Sequence, residues 1–167
     1  MKLELVRDGC MAARLGVRLS ENYFKKKGEL LEQAMFLQLD KLWLGTSQTA
    51  ELLEEDESII LSRRRQPGML HEQLRSLGLS RFIDKAFAIQ GDKAEWVRER
   101  YPDCRKTVIG DSHADLQIGK LAHTRCLMVG CGLESKERLS TVGVPFMFFD
   151  SLDSCRLYLS TSPERTG

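Results

Sequence analysis

The chain has 167 residues, 42% of them hydrophobic, with two tryptophans and seven phenylalanines, which suits one domain with an ordinary core. Its 25 Lys and Arg against 24 Asp and Glu leave a formal charge of +1, so no overall field points to nucleic acid or a membrane surface. Five cysteines without CxxC spacing argue against a disulfide scaffold or a zinc site, and no apolar run approaches the roughly 20 residues that span a bilayer.

Unpaired thiols suit a reducing compartment, and the first residues do not read as a signal peptide. The expectation is a cytoplasmic protein. Lys2 to Val6 alternates weakly and reads as a short strand running into the turn-like Arg7-Asp8-Gly9-Cys10. A helix through Arg18, with Leu3, Val6, Cys10 and Ala13 on one face, fits the same residues, and spacing does not separate the two. Ser20 to Leu44 is rich in helix formers and predicts one long amphipathic helix, or two with a break at Gly28. Gly45-Thr-Ser opens a further helix over Gln48 to Glu55. The basic runs Lys25-Lys26-Lys27 and Arg63-Arg64-Arg65 read as solvated faces.

From Glu57 the pattern becomes alternating strands and helices. Strands are predicted at Ser58–Ser62, Lys85–Gln90, Lys106–Asp111, Arg125–Gly130 and Pro145–Phe149. Helices are predicted at Pro67–Leu77, Asp92–Tyr101, Ser112–Ala122, Lys136–Val142 and Leu152–Leu159. Repeated strand-then-helix units with short connections mean an α/β fold, a parallel sheet between two layers of helices. The chain reads as a single domain over 1–167. It divides into a helical, cap-like block at about 11–56, a core at about 57–159 and a polar tail at 160–167.

The most informative stretch is Lys106-Thr-Val-Ile-Gly-Asp-Ser-His-Ala-Asp-Leu116. It places Asp111 at the carboxyl end of a strand and Asp115 in the first turn of the next helix. Open α/β sheets bind ligands at that edge, and paired carboxylates suit a hard cation such as Mg²⁺. On spacing alone, helix capping is the simpler account. Ser62 ends another strand, where a hydroxyl and backbone N–H groups suit a phosphate, although a strand-ending serine needs no such role. Lys93 opens a helix, where the dipole disfavours a cation. Its place there predicts a charge partner, either a carboxylate or an anion. His113 reads as a solvated helix-start residue, and Trp43 and Trp96 as core.

Taken in order, Ser62, Leu74-Arg-Ser-Leu-Gly-Leu79, Phe82-Ile-Asp84, Lys93 and Val108-Ile-Gly-Asp-Ser-His-Ala-Asp-Leu116 resemble the haloacid dehalogenase superfamily. Val129-Gly-Cys-Gly132, Gly143-Val-Pro145 and Phe149-Asp150-Ser-Leu152 continue the resemblance, which covers roughly residues 57 to 153. It implies a three-layer, Rossmann-like core with a reduced N-terminal cap, and Mg²⁺-dependent hydrolysis of phosphomonoesters through an aspartyl-phosphate. By position, Ser62 would be the phosphate-binding hydroxyl and Lys93 the lysine that steadies nucleophile and phosphate. Asp111 would be a Mg²⁺ ligand, with Asp115 the supporting acid of the same motif.

The family's first motif, Asp-x-Asp-Gly-Thr, finds its best match in Val6-Arg7-Asp8-Gly9-Cys10. That match keeps Asp8, as catalytic residue and metal ligand, but puts Val6 at the nucleophile position. Asp40 is a weaker candidate nucleophile. In the implied fold the first strand lies mid-sheet, and Lys2–Val6 is the strand-like segment ahead of Ser58, although Glu4 suits a buried strand badly. Leaving that slot empty would strand two sheet edges with unpaired N–H and C=O groups. Three expectations follow. One is a phosphatase whose nucleophile is Asp8 in a shifted frame, or Asp40. Another is an inactive relative that serves as a binding or regulatory module. The third, an unrelated doubly wound module such as a receiver-like or nucleotide-binding domain, fits the ordered motifs poorly. A short cap leaves the site open, which suits a macromolecular phosphorylated substrate or a partner protein as lid, with no nucleic acid or membrane partner.

Overall fold

The structure is a computed structural model that describes residues 18, 20–31, 42, 44–54, 57–64, 66–130 and 134–161. The expectations at Lys2–Val6, Asp8, Asp40 and Trp43 lie outside these residues. Five short strands follow the predicted order: β1 (Ile60–Arg63), β2 (Ala86–Ile89), β3 (Lys106–Gly110), β4 (Thr124–Val129) and β5 (Met147–Phe149). All described pairings are parallel. β1 pairs with β2, placing Ser62 beside Ala88. β3, β4 and β5 form a second set in that order, with Val108 beside Cys126 and Leu127 beside Met147.

β4 shows why the strands read as unbroken apolar runs. Residues 126–129 are all buried, as expected where helices cover both faces of a parallel sheet. Cys126 and Met128 point to one layer and pack with Leu116, Leu139 and Val144. Leu127 and Val129 point to the other and pack with Cys155. The period of two along the strand thus sorts its side chains between two cores. A third core lies under β1 and β2, built from Ala50, Leu70, Leu74, Leu79, Phe82 and Ala86.

The helices are α1 (Glu21–Leu31), α2 (Gly45–Leu53), α3 (Pro67–Ser76), α4 (Lys93–Arg100), α5 (His113–Leu116), α6 (Lys136–Ser140) and α7 (Leu152–Thr161). α3 opens on Pro67, where a missing N–H costs nothing, and stops before Gly78, whose φ of 74° continues no helix. Of the two alternatives for this stretch, the break at Gly28 is the one not seen, since α1 runs through that residue. The helix predicted over 112–122 yields after one turn to a 3-10 turn, Gln117–Lys120. Close packing of Gly119 accompanies the change: a Cβ there would lie 2.6 Å from Val144 Cγ1. A second 3-10 turn, Ser80–Lys85, leads into β2 and had no counterpart among the predicted elements.

Between β1 and β3 lies a cleft of about 520 Å³. Leu61 lines one wall, Val108 and Ile109 the other, with Lys93, Asp115 and Val97 among its further residues. Among the described residues no strand pairs with the β1 or β3 edge that faces it.

Candidate functional site

Ser62, Lys93, Asp111 and Asp115 fall within the described residues, and the structure brings Lys93 and Asp115 together. Asp92 caps α4, its carboxylate accepting the Glu95 N–H at 2.9 Å, and the chain then delivers Lys93 as the first helical residue. Lys93 Nζ donates to Asp115 Oδ1 at 2.7 Å, with the two side chains only 12% and 11% exposed. The charge partner predicted for this lysine is therefore a carboxylate. Because the bond joins the element after β2 to the element after β3, the carboxyl ends of both strand sets open on the same side.

Asp115 also shapes the turn that follows β3. Its Oδ2 accepts the Ser112 hydroxyl at 2.6 Å, the Ser112 N–H at 3.2 Å and the Asp111 N–H at 3.4 Å. This is a capping box, with Ser112 at the N-cap and Asp115 three residues on. The carboxylate crosses so close to the strand end that only glycine fits before it. A Cβ on Gly110 would lie 2.6 Å from Asp115 Cγ and 2.8 Å from Oδ2. The capping role and the lysine partnership therefore belong to one side chain. Asp111 lies half-buried at the end of β3, and Ser62 half-buried near the end of β1.

Sequence reading missed Glu134. It sits in the loop after β4 and is 3% exposed. Its Oε2 accepts the His113 backbone N–H at 2.9 Å and meets His113 Nδ1 as well. The histidine expected to be solvated is thus fixed on one edge by a buried carboxylate, while 36% of its side chain stays exposed. Twenty-one residues separate the pair, so no local spacing could reveal it. The available signal was positional: Glu134 follows a buried strand, at the sheet edge where sites form.

The charge balance here is negative. Asp111, Asp115 and Glu134 cluster around one turn, set against Lys93 and His113. The same field reaches Cys126: burial pushes its thiol above the ordinary range, and the Asp115 carboxylate adds to the shift. The backbone donors of the turn are occupied by carboxylates, so it suits a cation better than a phosphate. Among the described residues no three His, Cys, Asp or Glu side chains converge as metal ligands. Of the residues expected to hold a hard cation, Asp111 and Asp115 lie at this turn, and Asp8 falls outside the described residues.

Trp96 is structural: its ring packs between Phe87 and Tyr101, with the Arg100 guanidinium over it. Arg63 is exposed, whereas Arg64 turns inward and bonds Gln73 of α3.

The fold resembles that of a haloacid dehalogenase-like family hydrolase from Streptococcus pneumoniae. The two superpose with a TM-score of 0.59 over 87% of this chain and 75% of that one, at 14% sequence identity. The chain therefore has the haloacid dehalogenase-like α/β fold that its motifs predict. No protein-family model matches the sequence, and no curated protein does either. Among the described residues no helix is long and apolar enough to cross a membrane.

Proposed function

With the haloacid dehalogenase-like fold as premise, we propose that the chain is a phosphatase-type protein acting on phosphomonoesters with Mg²⁺, its turnover lowered by the valine at position 6. The observation that supports this reading most is the buried Lys93–Asp115 bond beside Asp111 at the carboxyl edge of the sheet. A lysine at a helix N-terminus and a carboxylate in the next loop are costly to bury singly, and together they pre-position an ammonium next to the strand ends.

In this reading Asp111 and Asp8 would hold Mg²⁺, with Asp115 the supporting acid that fixes their turn. The ion would supply charge stabilisation for the phosphoryl oxygens. Ser62 would hydrogen-bond a phosphoryl oxygen, and Lys93 would steady the phosphate and the attacking carboxylate. Asp8, in a shifted frame, would form the new oxygen–phosphorus bond as the ester oxygen leaves with its electron pair and takes up a proton. Water then opens the aspartyl-phosphate, releasing phosphate and restoring the carboxylate.

Val6 favours a second reading. A side chain that cannot attack phosphorus, in a chain that keeps the lysine–carboxylate pair, also describes a binding or regulatory module that has lost turnover. Phosphate release with and without Mg²⁺ separates the two. In the first reading a slow, Mg²⁺-dependent rate is present and Val6→Asp leaves it unchanged or raises it. In the second the wild type releases no phosphate yet still binds the cation. A phosphopeptide turned over faster than a small phosphate ester would support an open site for a macromolecular substrate, or one closed by a partner protein.

A further inference from the structure

The turn after β3 has an arrangement that the phosphatase reading does not require. Three successive backbone N–H groups are taken by two buried carboxylates: those of Asp111 and Ser112 by Asp115, and that of His113 by Glu134. Glu134 comes from a different loop, after β4, and its side chain is 1% exposed. Burying a carboxylate costs several kcal/mol unless hydrogen bonds and charge compensate it. Here one oxygen receives both the His113 N–H and the His113 ring edge.

The physical result of this outlay is local. With N–H groups anchored on both sides, the backbone of Asp111-Ser112-His113 has little room to rotate. We propose that Glu134 is a positioning residue for the candidate cation site: it clamps the turn from the β4 side and so fixes Asp111 as a ligand. His113 serves the clamp, its imidazole holding the Glu134 carboxylate in place. The inference rests on the reading of Asp111 as a Mg²⁺ ligand. Groups that orient metal ligands without touching the metal carry large effects on affinity.

Mn²⁺ binding to the full chain without substrate, followed by calorimetry or by the spectrum of the unbound ion, tests this. Glu134→Ala should weaken binding about tenfold or more, within the range known for such supporting groups, and Glu134→Gln should restore it to within about threefold. The glutamine carbonyl still accepts the His113 N–H, so it rescues a positioning role. A folded Glu134→Ala with wild-type affinity, or a glutamine variant as weak as the alanine one, overturns the inference. If Glu134→Ala does not fold, Glu134→Asp decides: it keeps the charge and withdraws the oxygen, so weakened binding is expected and unchanged affinity overturns the proposal. Wild-type binding that Asp111→Asn abolishes but Glu134 variants leave alone overturns this inference only. A wild type that binds no Mn²⁺ overturns the cation reading together with it.

Discussion

At the scale of single residues, Asp115 organises the site. One carboxylate closes the capping box, holds Lys93 and presses against Gly110. These demands explain the glycine, because any β-carbon there meets the carboxylate. Gly110→Ala is expected to destabilise the fold by about 1–3 kcal/mol, the usual cost of overpacking. A urea titration checks it, and a midpoint equal to wild type would show that the turn yields. Asp115 also acts through space on Cys126. Its raised thiol pKa, from burial first and the carboxylate second, keeps the folded state protonated through about pH 8 to 9, where an unfolded thiol ionises. The associated stability is full below that range and is lost as pH rises through the folded value. In native protein at such pH the exposed Cys104 should react with iodoacetamide well before Cys126, as mass mapping would show. Equal rates would contradict the buried, carboxylate-facing placement of Cys126.

At the scale of elements, the central question is the cleft between β1 and β3. Two sheet edges facing a common gap are a liability, because their N–H and C=O groups seek partners. Ile109, an exposed isoleucine on β3, lines this gap. The sequence expectation for the place is Lys2–Val6, outside the described residues. If an extended segment fills the cleft, Ile109→Lys should cost more than about 1 kcal/mol, whereas a solvated surface position would change stability by no more than about 0.5 kcal/mol. Denaturation of the two proteins side by side decides it. The strand-and-helix succession from Ser58 onward was legible because buried parallel strands leave continuous apolar runs, as in β4. Its boundaries were less so. Gly28 reads as a breaker, yet a single glycine costs only about 1 kcal/mol inside a helix, and α1 passes through it. The helix after Asp111 ends at Leu116 and tightens into the 3-10 turn Gln117–Lys120. Within that turn Gly119 packs against Cys126 and Val144, a tertiary contact that local preference does not show.

At the scale of the molecule, the two strand sets meet through side chains more than through strand pairing among the described residues. The Lys93–Asp115 bond ties the element after β2 to the element after β3, and α4 packs on the 3-10 turn that follows α5. Part of the candidate site was legible in the sequence for a physical reason: residues that sit at strand ends and helix starts leave a positional trace. Lys93 was legible because a cation at a helix N-terminus needs an explanation. Glu134 was not, because its partner is distant in sequence and its loop carries no periodic signal. The proposed function turns on Asp111 as a ligand of Mg²⁺ in a phosphomonoester site. Phosphate release from a phosphomonoester, measured with and without Mg²⁺ on wild type and Asp111→Asn, decides it. A slow release that requires Mg²⁺ and disappears in Asp111→Asn is the predicted result, and release unchanged by the substitution and indifferent to Mg²⁺ would contradict it.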